Sequence, residues 1–218
     1  MNEFNIDIVC KTLTKVIRIL ELNNIKYRFL GSLVIAAING KLHRNLGDLD
    51  LIVDSDRKDV LYSALKELGY KRSGGGVFDF ARKYLSLEQL EHTDLLGVGY
   101  FYGTWENDRT LVMEDKNLSL IVDPYALKET KYTFCGVSFL GIPESAIAAG
   151  IYESRVNPKR KQELVILKEK KIEPFKNSYI HISIFGIRAD WIYHLSMIIL
   201  NLIGAIRVKL GLPFDPWR

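Results

Sequence analysis

The stretch "FLGSLVIAAINGKLHRNLGDLDLIVD", residues 29–54, sets two short polar insertions, Gly31-Ser32 and Asp48-Leu49-Asp50, into otherwise apolar runs. Side chains on a strand alternate faces, so a strand over 48–53 projects Asp48 and Asp50 from one face while Leu49, Leu51 and Val53 pack on the other. Like charges held that close are unfavourable unless a cation sits between them or one takes up a proton, and an oxygen-seeking divalent ion is the usual answer. Gly31-Ser32 supplies the complementary part. Residues 27–30 read as a strand and 32–38 as a short helix closed by Asn39-Gly40, so backbone N–H groups and the positive end of the helix face the cleft. Phosphate suits that place: Gly31 lets the backbone approach, Ser32 offers a hydroxyl, and Arg44 is a third candidate contact.

Working outward, Val9, Leu13, Val16, Ile17 and Leu20 recur at helical spacing before a stop at Asn23-Asn24. After the D-L-D strand, Ser55 or Asp56 caps a helix that runs through Leu61, Leu65 and Leu68 to Gly69, and Asp54 is also placed to cap. The order is therefore helix, strand, helix, strand, helix. Residues 77–81 and 93–98 read as further strands, with Gly74-Gly75-Gly76 before the first and an ambiguous "KYLSLEQLE" between them. Residues 132–140 make one or two strands broken at Gly136. Past Pro143 come two helical stretches, "ESAIAAGIYES" and "KQELVILKEK", whose basic connection at Lys159, Arg160 and Lys161 reads first as a solvated helix start and second as a reach toward nucleotide or acceptor. The expected division is 1–142 and a helical region 143–218. Residues 191–208 are almost continuously apolar but carry His194, Ser196, Asn201 and Gly204; docking on the domain or on a second subunit is favoured over a bilayer.

The 218 residues, 48% hydrophobic and 26% charged, suffice for a real core. A net charge of +4 suits a polyanionic ligand such as a nucleotide but does not by itself indicate nucleic acid. Cys10 and Cys135 form neither a disulfide framework nor a zinc spacing, and residues 1–7 lack a secretion signal, so a reducing cytoplasm is the expected compartment. Without G-x-S-x-G, H-E-x-x-H or a helix-opening G-x-G-x-x-G, hydrolase and dehydrogenase chemistries have no support.

Gly-Ser after a strand, fifteen residues, then D-L-D on the next strand with Arg44 four residues before it resembles the nucleotidyltransferase superfamily with the polymerase-beta-like palm. The likeness is nearest to small bacterial and archaeal members: minimal, aminoglycoside- and lincosamide-modifying, and toxin-type nucleotidyltransferases. It implies an α/β fold, a mixed sheet flanked by helices with a C-terminal helical extension. It further implies transfer of a nucleoside monophosphate from an NTP to a hydroxyl acceptor (small molecule, RNA or protein), with loss of pyrophosphate. By that resemblance Gly31, Ser32 and Arg44 bind the nucleotide, and Asp48, Asp50 and a third carboxylate hold Mg²⁺ or Mn²⁺ and carry catalysis. Asp94 is the expected third carboxylate, on a strand face with His92, and Asp79 is its rival. Lys161-Gln162 departs from the Lys-Asp often found at that point in the family. A catalytically inactive nucleotide-binding or interaction module of the same fold is the alternative.

Overall fold

The computed structural model describes residues 4–74, 86–106, 109–111, 118–154, 157–175, 180–184 and 187–212. Its first half builds as the apolar spacing predicts. Helix α1 (Ile6–Leu22) buries Val9, Leu13, Val16, Ile17 and Leu20 along one face and ends at Asn23. Strand β1 (Tyr27–Leu30) meets helix α2 (Ser32–Asn39) at Gly31, and α2 stops where Gly40 turns left-handed at φ 74°. Strand β2 (Asp48–Asp54) runs antiparallel to β1, with Asp50 opposite Leu30. Asp54, rather than Ser55 or Asp56, is the cap: its carboxylate accepts the Asp56 N–H at 3.2 Å, and a 3₁₀ turn leads into α3 (Lys58–Glu67).

The remaining elements are β3 (Lys71–Arg72), β4 (Leu87–Glu91), β5 (Gly97–Glu106), β6 (Arg109–Leu111), β7 (Leu118–Val122), β8 (Thr130–Phe134), β9 (Val137–Gly141), α4 (Glu144–Glu153), α5 (Lys161–Glu169), β10 (Ile180–Ile184), β11 (Ile187–Arg188) and α6 (Asp190–Lys209). Seven strands form a mixed sheet in the order β8-β9-β1-β2-β5-β4-β3, parallel at β1/β9 and β2/β5. The far end of β5 pairs with β6, and the sheet continues through β7 and β10 to β11. Helices α4 and α5 pack on α2, which brings the chain after Pro143 against the Gly-Ser turn.

The ambiguous "KYLSLEQLE" thus contributes β4, while the expected strand at 77–81, with Asp79, lies outside the described residues. The strand expected at 93–98 begins only at Gly97. Leu95 and Leu96 are both buried, but residues 93–95 bend, and pairing with β2 begins only at Gly97. Strand β10, "IHISI", lies inside the region expected to be helical, although its apolar–polar alternation is that of a strand.

Cys10 and Cys135 do not remain separate thiols. They form a disulfide with Cα atoms 5.4 Å apart, tying α1 to the β8–β9 turn across 125 residues of chain. Proximity of residues so distant in sequence arises only from α1 packing on β9, and the pairing removes the cysteine-based ground for a reducing compartment. Helix α6 docks through Asn201, whose amide donates to the Glu153 carbonyl at 2.8 Å, and through buried Gly204. Trp191, Leu195, Ile198, Leu202 and Ile206 stay exposed on it, and no helix among the described residues is long and apolar enough to cross a membrane. Because the disulfide closes a 125-residue loop, Cys135→Ser should lower unfolding stability by about 4–5 kcal/mol. A urea midpoint insensitive to dithiothreitol in the wild type would contradict this.

Candidate active site

The two polar insertions meet because β1 and β2 are antiparallel neighbours. Gly31, at φ 71° and ψ −150°, adopts a backbone that side chains disfavour, and a Cβ there would fall 2.6 Å from Asp50 Oδ2. Only glycine lets the carboxylate lie against the turn. No side chain caps α2, so its first N–H groups are left for a ligand beside Asp50. Ser32 is buried, and its hydroxyl is already engaged: Oγ donates to Glu163 Oε1 at 2.7 Å and accepts from Arg44 Nη2.

Glu163, on α5, is fully buried and gathers the site around it. Beyond Ser32, it accepts from Arg160 Nη1 at 2.7 Å and faces His43 Nε2 at 3.2 Å and Arg44 Nε at 3.6 Å. Burial alone would raise its pKa; the His43 hydrogen bond, the Arg160 charge and the Ser32 hydroxyl outweigh that and hold it down at about 2. Neither Glu163 nor His43 is among the sequence-derived site residues. The signal was present, since Glu163 shares a helix face with buried Ile166 and Leu167. Arg160, read from sequence as solvated, instead joins this network, and its Nε is buried without a hydrogen-bond partner among the described residues.

Asp48 and Asp50 project side by side, as the strand register requires. Burial first, and the neighbouring charge of Asp48 second, push the Asp50 pKa well above the usual carboxylate range, against the pull of Arg160 and Arg44. Gln89 Nε2 lies 3.5 Å from Asp48 Oδ2. Asp94 does not join them: it is exposed in the bend before β5, its N–H donating to His92 Nδ1 and its carboxylate accepting from Thr93 Oγ1. His92 points to the Leu68 carbonyl and Tyr70. Among the described residues no three His, Cys, Asp or Glu groups cluster as a metal site. The donor set of two carboxylates fits a hard divalent ion only if a ligand's oxygens complete its shell. Beside Gly31 opens a cleft of about 270 Å³, walled by Ile142, Ala146, Ile147 and Gly150 and reaching Arg160.

The sign of the Glu163 shift fixes a pH dependence. A folded pKa near 2, below the unfolded value near 4.5, makes a stabilising contribution that is complete above the unfolded value and lost as pH falls through the folded one. Glu163→Gln should therefore cost about 3 kcal/mol at neutral pH. It should also flatten the stability profile between about pH 4.5 and 2, as read by denaturant unfolding at stepped pH. An unchanged acid limb would contradict the network.

The sequence matches the aminoglycoside-2''-adenylyltransferase family model over residues 12–86, from within α1 past the D-L-D strand and α3 to the residue before β4. No curated protein matches it. Among solved structures, the lincosamide antibiotic adenylyltransferase LnuA with lincomycin bound is similar at 15% identity and a TM-score of 0.53, over 74% of this chain and 96% of that one. The antibiotic-resistance factor ANT(2'')-Ia in solution is similar at 13% identity and 0.56, over 76% and 85%. Its complex with adenylyl-2''-tobramycin gives 15% and 0.52, over 75% and 92%. The fold is that of the nucleotidyltransferase superfamily, in the form that aminoglycoside and lincosamide adenylyltransferases carry.

Proposed function

We propose that this protein is a divalent-metal-dependent nucleotidyltransferase that moves a nucleoside monophosphate, AMP by analogy with its similar structures, from an NTP to a hydroxyl of a small molecule. The observation that carries this reading is the seating of Asp50 against Gly31, which puts a carboxylate pair, an uncapped helix N-terminus and two arginines on one cleft. Asp48 and Asp50 would hold the ion, which when bound supplies charge stabilisation at the α-phosphate during in-line displacement. The acceptor hydroxyl loses its proton to solvent as its oxygen forms the new bond to the α-phosphorus, and the bond to the bridging oxygen breaks to release pyrophosphate. The N–H groups of Ser32 and Leu33 receive the charge of the departing phosphates, with Arg44 and Arg160 beside them. The apolar cleft along α4 takes the nucleobase, and its position next to Gly31 supports that orientation.

Both aspartates must be ionised to accept a cation, and the pKa of Asp50 is raised; nucleotide binding should therefore depend on the metal increasingly as pH rises. Thermal unfolding with ATP and Mg²⁺ should show a synergistic upshift that is small at acid pH, full at mildly alkaline pH, and absent from Asp50→Asn. Without ligand the same variant should melt higher than the wild type at alkaline pH, since a raised carboxylate pKa makes the folded state lose stability as pH rises between the unfolded and folded values. Equal ATP shifts in EDTA would sink the reading. Pyrophosphate release with lincosamides, aminoglycosides and other polyhydroxy compounds then identifies the acceptor.

A second copy of the chain is the proposed partner for α6. Its outward residues Trp191, Leu195, Ile198, Leu202 and Ile206 are all exposed and recur at helical spacing, an apolar stripe of the kind that marks an interaction surface. Light scattering should find a dimer without detergent, and Leu202→Glu with Ile206→Glu should yield monomers with unchanged metal-dependent nucleotide binding. A wild-type monomer at high concentration would reject this.

A further inference from the structure

Across β2, β5 and β4 the register leaves a gap where a third carboxylate is expected. Asp48 lies beside Gly97 and Asp50 beside Gly99 in the parallel pairing, and Gly99 in turn lies beside Gln89 in the antiparallel one. Paired residues share a sheet face, so the two glycines stand on the face that bears both aspartates. They keep it clear, and Gln89 reaches across the clearing. A Cβ at Gly99 would fall 2.5 Å from Gln89 Oε1 and 3.5 Å from Asp50 Oδ1; one at Gly97 would fall 3.4 Å from Asp48 Cβ and 3.5 Å from Gln89 Nε2. Gln89 therefore occupies the space that β5 side chains would fill.

We propose that Gln89 supplies the third protein ligand of the ion held by Asp48 and Asp50, its neutral amide oxygen standing where a carboxylate is expected. The amide nitrogen steadies Asp48 while the oxygen and Asp50 Oδ1 border the same space above Gly99. A carbonyl-type oxygen is an ordinary ligand for Mg²⁺ and Mn²⁺. The protein then presents two negative charges to the ion instead of three, so ion affinity leans on the nucleotide's phosphates. The ion binds tightly with nucleotide and weakly alone. Glu91, next on the same strand face and lining the same cleft as Asp48 and Gln89, is the competing group.

This inference rests on the metal-dependent reading above, and titration of the full chain with Mn²⁺, followed by electron paramagnetic resonance with and without a non-hydrolysable ATP analogue, separates the two. Gln89→Leu should weaken Mn²⁺ in the presence of the analogue by about 10-fold, the scale of losing a metal-supporting group. Gln89→Glu should tighten Mn²⁺ and make it bind without nucleotide. Glu91→Gln should match the wild type. Circular dichroism and the melting temperature without ligand identify a variant that fails to fold, and Gln89→Glu tests the proposal independently if Gln89→Leu does so. Wild-type Mn²⁺ affinity in folded Gln89→Leu, unchanged binding in Gln89→Glu, or loss in Glu91→Gln would overturn the assignment and leave nucleotidyl transfer standing. No Mn²⁺ binding by the wild type under any condition would overturn both.

Discussion

The carboxylate of Glu163 is the contact on which the arrangement of the site depends. It lies on α5, more than a hundred residues after the Gly-Ser turn, yet it receives Ser32, His43 and Arg160 together. A buried carboxylate is tolerated only when its lone pairs are filled by donors of this kind. The filling has a structural consequence: it locks α5 to the start of α2 and holds Arg44 and Arg160 beside Asp50. Without it, the arginines would be free to reach Asp48 and Asp50 directly and neutralise the pair.

Two arginines set among three carboxylates leave the cluster of Asp48, Asp50, Glu163, Arg44 and Arg160 net negative when all are ionised. Glu163 draws most strongly on the arginines, having the shorter contacts and the depressed pKa. Asp50 is left with the shortfall, which is why its proton is held more tightly than usual. On the proposed reading, a divalent ion and a triphosphate would redistribute that balance, the ion facing the aspartates and the phosphates facing the donors that Glu163 does not use.

Much of this was legible in sequence where local pattern and chemistry coincide. Strand β1, helix α2 and strand β2 follow from apolar runs punctuated by Gly31, Gly40 and the D-L-D alternation, and the face shared by Asp48 and Asp50 follows from the period of a strand. What was not legible depends on long-range packing. Glu163 has the composition of a surface helix residue, and only the burial of Ile166 and Leu167 on its face betrays it. Cys10 and Cys135 carry no spacing signal because their meeting is a property of α1 on the sheet. Asp94 sits in a run whose hydrophobicity resembles a strand, but residues 93–95 bend and the strand starts four residues later than expected, at Gly97.

Strand β5 shows the cost of clearing a site. Glycine in a strand interior forfeits about 0.5–1 kcal/mol relative to alanine and offers no side chain to pack, and β5 places glycines at 97, 99 and 103. Those positions alternate with Val98 and Tyr100, both buried against the core on the opposite face. Around the aspartates the strand is held by apolar burial on the opposite face and by its two ladders to β2 and β4, while the face at Gly97 and Gly99 is kept bare. A side chain at Gly99 would restore packing and propensity but collide with Gln89. The stability given up at β5 is thus tied to the shape of the cleft, and the glycines belong to the same design as the carboxylates they face.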